Sequence, residues 1–293
     1  MSGGQRRLRP VAVVVTDKTR NVSKRGERVS IERVDTADDV RVSEYSHITD
    51  RELLQRRGLF VAEGRLVVQR VIEQRRFAVR SLLLSDAALD ALSPCLAGLP
   101  QAVPIHVCQR EMFQRLTGHD IHRGCLALVE RPPATSVDDV IRGAQLIVVL
   151  EDVADADNVG GVFRNAAAFG ADAVLLSPST CDPLYRKAIR TSMAAALTVP
   201  FARVANWPAG LADLTVRGFT VVALAPRGLE TLDAFAARPR PSRLALLVGA
   251  EGPGLSEAAI VHAAFCVRIP MRQGVDSLNL AVVVGIALSR FIR

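Results

Sequence analysis

Short runs of valine, leucine and isoleucine recur along the chain, separated by stretches whose apolar positions follow helical spacing. In the first part, residues 50–57 predict a short helix stopped by Gly58, and residues 59–62 a strand. Glu63-Gly64 then turns into the helical pattern Leu66, Val67, Val71 and Ile72. Residues 81–84 and 104–107 are strand-like with a helix near 87–92 between them, and residues 125–130 form a closing strand. Arg131-Pro132-Pro133 marks a boundary. The pattern predicts a small α/β domain over residues 31–130, a linker over 131–139 and a second domain over 140–293.

The second domain has longer apolar runs. Strands are predicted at 146–150, 173–176, 198–201, 220–224, 244–248 and 266–269. A helix over 158–169 turns Val159, Val162, Phe163, Ala166 and Ala167 inward and ends at Gly170. A second, over 185–196, carries Arg186, Lys187 and Arg190 on one basic face. The run 278–288 predicts a buried terminal helix with Ser277 as its N-cap. Strands separated by helices imply an α/β fold with a mostly parallel sheet covered on both faces.

Three polar loops then stand at the carboxyl ends of predicted strands, where open α/β sheets hold ligands. The first contains Asn158, Gly160, Gly161 and Arg164; the second is Gly249-Ala250-Glu251-Gly252-Pro253-Gly254; the third leads through Ile269-Pro270-Met271 to Ser277-Leu278-Asn279. Glycines in such connections let a backbone approach a phosphate. The spacing is neither G-x-G-x-x-G nor a P-loop, so nucleotide binding of either common kind is not expected. Arg164 on its own reads equally as a solvated charge. Glu251 is placed to pair with Arg164, to accept from ligand hydroxyls or to cap a helix. Asn279 opens an apolar helix, and its amide needs partners if buried.

Composition sharpens this reading. Apolar residues make up 49% of the chain and aromatics only 4%, which argues against an extended base-stacking platform. The net charge is +7, yet residues 1–30 hold eight Lys or Arg against Asp17 and Glu27. Any polyanionic partner is therefore met elsewhere by local patches. Residues 1–30 are expected to be a flexible basic extension, either binding nucleic acid through counterion release or without function. Five cysteines without a CxxC pair read as reduced thiols of a cytoplasmic protein. No apolar run reaches the roughly 18 residues of a membrane span. His119, His122 and Cys125 have metal-like spacing but no fourth ligand nearby, so no metal is expected.

On these three loops the chain resembles the SpoU/TrmH family of ribose 2'-O-methyltransferases, among the knotted SPOUT enzymes. Asn158, Gly160 and Arg164 match its first motif, Gly249-Ala250-Glu251-Gly252 its second and Ser277-Leu278-Asn279 its third; 187–194 follow its basic helix. Phe60-Val61-Ala62-Glu63-Gly64 resembles the start of the family's L30e-like substrate-binding domain. The resemblance implies a deep trefoil knot, a homodimer and S-adenosylmethionine as cofactor. It would be held near Gly249, Ile269, Leu278, Ala223, Leu224 and Met271. It implies that Asn158, Arg164, Glu251, Ser277 and Asn279 form the catalytic set, with Arg164 at the acceptor ribose and a contribution across the dimer left open. Arg186, Lys187, Arg190, Arg268 and Arg272 are the candidate RNA contacts. Ribosomal RNA, with 23S RNA favoured, is the expected substrate; transfer RNA, or a non-catalytic role in ribosome assembly, is the alternative. Ala156 stands where the family often has proline, Asn165 replaces a frequent threonine, and Ala195 lies where glycine is frequent.

Overall fold

The computed structural model describes residues 13–16, 19–24, 27–46, 49–118, 124–275 and 277–292, with side chains from Ser30 onward. The chain divides into two compact units, Met1–Pro132 and Pro133–Arg293.

In the first unit, β1 (Val13–Thr16), β2 (Thr19–Lys24) and β3 (Glu27–Val29) form an antiparallel meander. Part of the expected flexible extension is thus strand, consistent with the β-branched run at its centre; residues 1–12, 17–18 and 25–26 lie outside the described residues. There follow β4 (Ile31–Arg33), α1 (Asp50–Arg56), β5 (Leu59–Glu63), α2 (Arg65–Gln74), β6 (Val79–Leu84), α3 (Asp86–Leu96), β7 (Ile105–Val107), α4 (Arg110–Thr117) and β8 (Cys125–Glu130). The five strands form one mixed sheet in the order β4-β7-β6-β8-β5. Leu59, Val61, Leu83, Leu126 and Leu128 form one of its cores with Phe113 of α4. Residues 119–123, which include His119 and His122, lie outside the described residues, and Cys125 is fully buried on β8.

The second unit runs α5 (Val137–Ile141), β9 (Leu146–Glu151), α6 (Ala156–Phe169), β10 (Ala173–Leu176), α7 (Arg186–Thr191), β11 (Phe201–Arg203), α8 (Gly210–Val216), β12 (Thr220–Leu224), β13 (Glu230–Thr231), α9 (Leu232–Ala236), β14 (Leu244–Gly249), α10 (Glu257–Ile260), β15 (Phe265–Arg268) and α11 (Leu280–Ser289). Seven strands lie in the order β11-β10-β9-β14-β12-β15-β13, every pair parallel. A sheet buried on both faces needs strands apolar throughout rather than alternating. Residues 146–150 of β9 are at most 1% exposed. One face packs on α6 and α11 through Val162, Phe163, Val284 and Leu288; the other packs on α5, α8 and α10 through Ile141, Leu211 and Ala259. The side chain of Asp155 caps α6 by accepting from Asp157 N, and Gly170 ends it in the left-handed conformation.

Three further sequence expectations change. The helix over 185–196 is broken: α7 stops at Thr191, Met193 and Ala194 take positive φ (52° and 67°), and a 3-10 turn follows over Ala195–Leu197. Ser192 Oγ donates to Ile189 O and accepts from Ala196 N, closing that turn. Left-handed backbone at non-glycine residues costs about 1 kcal/mol or more each. The strand expected at 198–201 begins at Phe201, after Pro200, which cannot donate to a ladder. The N-cap of α11 is Asn279, not Ser277, because its Oδ1 accepts from Ala281 N (2.9 Å) and Val282 N (3.3 Å).

Candidate active site

A cavity of about 650 Å³ opens where β12, β14 and β15 end. Its walls are residues 224–227 at the end of β12, 248–255 at the end of β14, Glu257 of α10, Ile269, Met271, Ser277 and Leu278 from the last connection, and Leu280 and Val283 of α11. The turn after β14 is tight: Gly254 N donates to Ala250 O (3.0 Å), and Gly252 and Gly254 take φ of 84° and 72°. A Cβ on Gly249 would lie 2.3 Å from the carbonyl carbon and oxygen of Gly254. Only a residue without Cβ lets the two arms approach this closely.

At the rim, side chains from all three loops meet. Asn279 Nδ2 donates to Asn158 Oδ1 (2.8 Å) and to Glu251 Oε1 (3.0 Å), and Leu280 N also donates to Glu251 Oε1 (3.1 Å). Glu251 therefore caps α11 from another loop, and the carboxylate complements the positive end of the helix. It does not pair with Arg164: that residue is exposed on α6, is not part of the cavity wall, and forms no ion pair among the described residues. Ser277 is exposed on the cavity wall.

Of the expected cofactor residues, Gly249, Leu224, Ile269, Met271 and Leu278 line the cavity, while Ala223 is fully buried in the sheet core and does not. The basic set divides between α7, which carries Arg186, Lys187 and Arg190, and the segment from Arg268 at the end of β15 to Arg272. Lys187 Nζ pairs with Asp157 Oδ2 (2.9 Å), and this bond raises the lysine pKa. Hydrogen bonds from Thr191 and then Lys187 lower that of Asp157. Arg186 is half-buried, Arg190 and Arg272 are exposed. Arg268, partly exposed, donates from Nη1 to the carbonyls of Gly228 (2.6 Å) and Leu229 (2.9 Å), so this guanidinium braces its own backbone.

Sequence reasoning missed several polar groups. Arg227 and Glu257 form an ion pair on the cavity wall. Glu151, Trp207 and Ser256 form a hydrogen-bonded group behind the Gly249 turn. Beyond it, Asp152 (φ 55°) exchanges bonds with Ser177, and Arg203 Nη1 donates to the carbonyls of Ser177 (3.0 Å), Pro178 (3.2 Å) and Thr180 (2.8 Å). The only sequence signal for these was an acidic pair ending an apolar strand. No cluster of three metal-ligating side chains occurs among the described residues, and none of their helices is long and apolar enough to cross a membrane.

Residues 145–289 match the model of the SpoU rRNA Methylase family. The chain is 41% identical over 265 residues to a Mycobacterium bovis protein named an uncharacterized tRNA/rRNA methyltransferase, covering 88% of this chain and 91% of that one. The same values hold for a Mycobacterium tuberculosis H37Rv protein of that description. Among solved structures, an AdoMet-bound rRNA methyltransferase from Sinorhizobium meliloti aligns with a TM-score of 0.76 at 23% identity, covering 89% of this chain and 97% of that one. The SpoU methyltransferase AviRb from Streptomyces viridochromogenes, with AdoMet, aligns at 0.71 and 22%, covering 86% and 97%. These two show a shared fold.

Proposed function

This chain belongs to the SpoU rRNA methylase family, and from that premise we propose that it transfers a methyl group from S-adenosylmethionine to a ribose 2'-hydroxyl of RNA, ribosomal RNA being the favoured substrate. The observation that carries the reading is the cavity itself, where the second and third motif loops form the walls and Asn279 ties Asn158 of the first to Glu251.

The cavity suits the cofactor. Its volume falls in the usual range for small-molecule sites, about 300–1,000 Å³. Leu224, Leu255, Ile269, Leu278 and Val283 supply apolar walls, and the Gly249–Gly254 approach leaves backbone rather than side chain at the surface. Gly249, Leu224, Ile269, Met271 and Leu278 would hold it. When bound, the cofactor supplies a methyl group on a sulfonium leaving group.

The protein's share is then positioning and charge. We assign Arg164 to the phosphate beside the acceptor ribose and to the negative charge that develops on O2' as it gives up its proton to water. A guanidinium does not deprotonate in proteins, so Arg164 is not the base. Asn279, held between Asn158 and Glu251, fixes the start of α11 and with it Leu278 and Ser277 on the wall. We propose a homodimer in which Arg164, exposed on α6, serves the partner's site. Lys187, Arg190 and Arg272 are assigned to RNA phosphates, with Arg186 beside them. Residues 31–130 are assigned as an L30e-like RNA-binding domain, and the passage from β15 to α11 as the threaded part of a trefoil knot. With RNA as the substrate, the cytoplasm is the proposed location.

The test is incubation of the dimer with tritiated S-adenosylmethionine and separate pools of undermethylated ribosomal and transfer RNA. Label in ribosomal RNA, recovered as a 2'-O-methylnucleoside and lost in Arg164→Ala, is expected. Label on a base, or in transfer RNA alone, would contradict the acceptor or the substrate. Sedimentation of the protein as a monomer during turnover would remove the shared site.

A further inference from the structure

Glu151 is a carboxylate at the end of a central strand, 3% exposed and without an ion-pair partner among the described residues. Burying a charge this way is costly unless hydrogen bonds replace water. Three do: Oε1 accepts from Trp207 Nε1 (2.8 Å) and Ser256 Oγ (2.7 Å), and Oε2 accepts from Ser256 N (2.8 Å).

The placement of these donors matters more than their number. Glu151 lies opposite Gly249 on the last rung of the β9–β14 ladder, so its backbone marks one end of the turn that forms the cavity wall. Its side chain grips Ser256, the residue just past the other end. Ser256 Oγ in turn accepts from Ala259 N and caps α10. One residue thus fixes both ends of the 249–256 turn, with Leu255 anchored between them at 7% exposure. Trp207, the single tryptophan of the chain, reaches the same carboxylate from the connection between β11 and α8.

We propose that Glu151 is a positioning residue for the cofactor: it holds the Gly249 turn in its binding shape through Ser256 and couples that turn to the Trp207 indole. This rests on S-adenosylmethionine occupying the cavity. The carboxylate does not touch the cavity; it acts through the backbone of the turn.

The experiment is calorimetric titration of wild type, Glu151→Gln and Ser256→Ala with S-adenosylmethionine, alongside tryptophan emission and thermal melting. The amide of Glu151→Gln keeps the size but turns a donor toward groups that themselves donate. A folded Glu151→Gln is expected to bind about tenfold more weakly. Wild-type emission is expected to shift saturably with the calorimetric Kd, and Glu151→Gln to lose that shift. Ser256→Ala, which keeps the backbone donor, is expected to weaken binding about threefold with a smaller emission shift, and decides the matter if Glu151→Gln does not fold. Wild-type affinity and emission in a folded variant would overturn the positioning role alone. A wild type that binds no S-adenosylmethionine would overturn the cofactor reading and this role together.

Discussion

The two halves of the sheet's carboxyl edge are built from the same kind of buried parallel strand, yet they end differently. Beyond β9 and β10 the protein fills the space with its own side chains. Asp152 and Ser177 bond to each other, Thr180 Oγ1 donates to Leu150 O, and Arg203 collects three carbonyls. Beyond β12, β14 and β15 the corresponding space is a cavity walled by glycine-rich backbone, aliphatic side chains and a few polar ones, the Arg227–Glu257 pair and Ser277 among them. The position of a carboxyl end permits a site; whether one exists depends on whether the loops satisfy one another first. Asn279 lies on the seam, tying Asn158 after β9 to Glu251 after β14.

Substitutions that exchange the properties of the halves should separate them. The largest effect is expected from Gly249→Ala, because the added Cβ would meet Gly254 at 2.3 Å and displace the turn. S-adenosylmethionine binding by calorimetry should weaken about a hundredfold, on the order of 3 kcal/mol; affinity near wild type would mean the turn is not part of the site. Arg203→Ala on the filled half should cost about 2 kcal/mol of stability in urea unfolding, since three carbonyls lose a donor. Cofactor affinity should stay within about twofold, and a larger loss would show that the halves are coupled. Asn279→Ala removes an N-cap and should cost about 1 kcal/mol. Unlike Arg203→Ala it should also slow methyl transfer, measured under saturating cofactor, because it cuts the seam. The smallest change is expected from Lys187→Met, whose ion pair with Asp157 is solvent-exposed. Its melting temperature should be unchanged, while the salt dependence of RNA binding should lose about one unit of slope. An unchanged slope would remove Lys187 from the RNA contacts.

How much of this was legible follows from where each signal is stored. The strands β9, β10, β12 and β14 were readable because full burial on both faces leaves continuous apolar runs. The cavity loops were readable from their glycines and from the family resemblance. The helix α4 also carries a legible signal, Met112, Phe113 and Leu116 at helical spacing, all buried. Helices α8, α9 and α10 span seven, five and four residues, too short for periodicity to speak. The break after Thr191 is hidden because Met193 and Ala194, neither of them glycine, carry the left-handed turn. Ser277 and Asn279 are both competent caps, and the choice between them is made by Glu251, 28 residues away from Asn279. The same holds for Glu151, whose partner Ser256 lies 105 residues on, and for Arg268, whose carbonyl partners lie about forty residues back. Loop side chains that look free in sequence are committed by contacts that only the fold creates.

The most direct measurement is a crystal structure of the protein with S-adenosylmethionine bound. The expected result is cofactor density against Gly249, Ile269 and Leu278, with Asp152, Ser177 and Arg203 still bonded to one another. Density beside residues 177–182, or a cofactor bound away from the sheet edge altogether, would contradict the division between a filled and an open half.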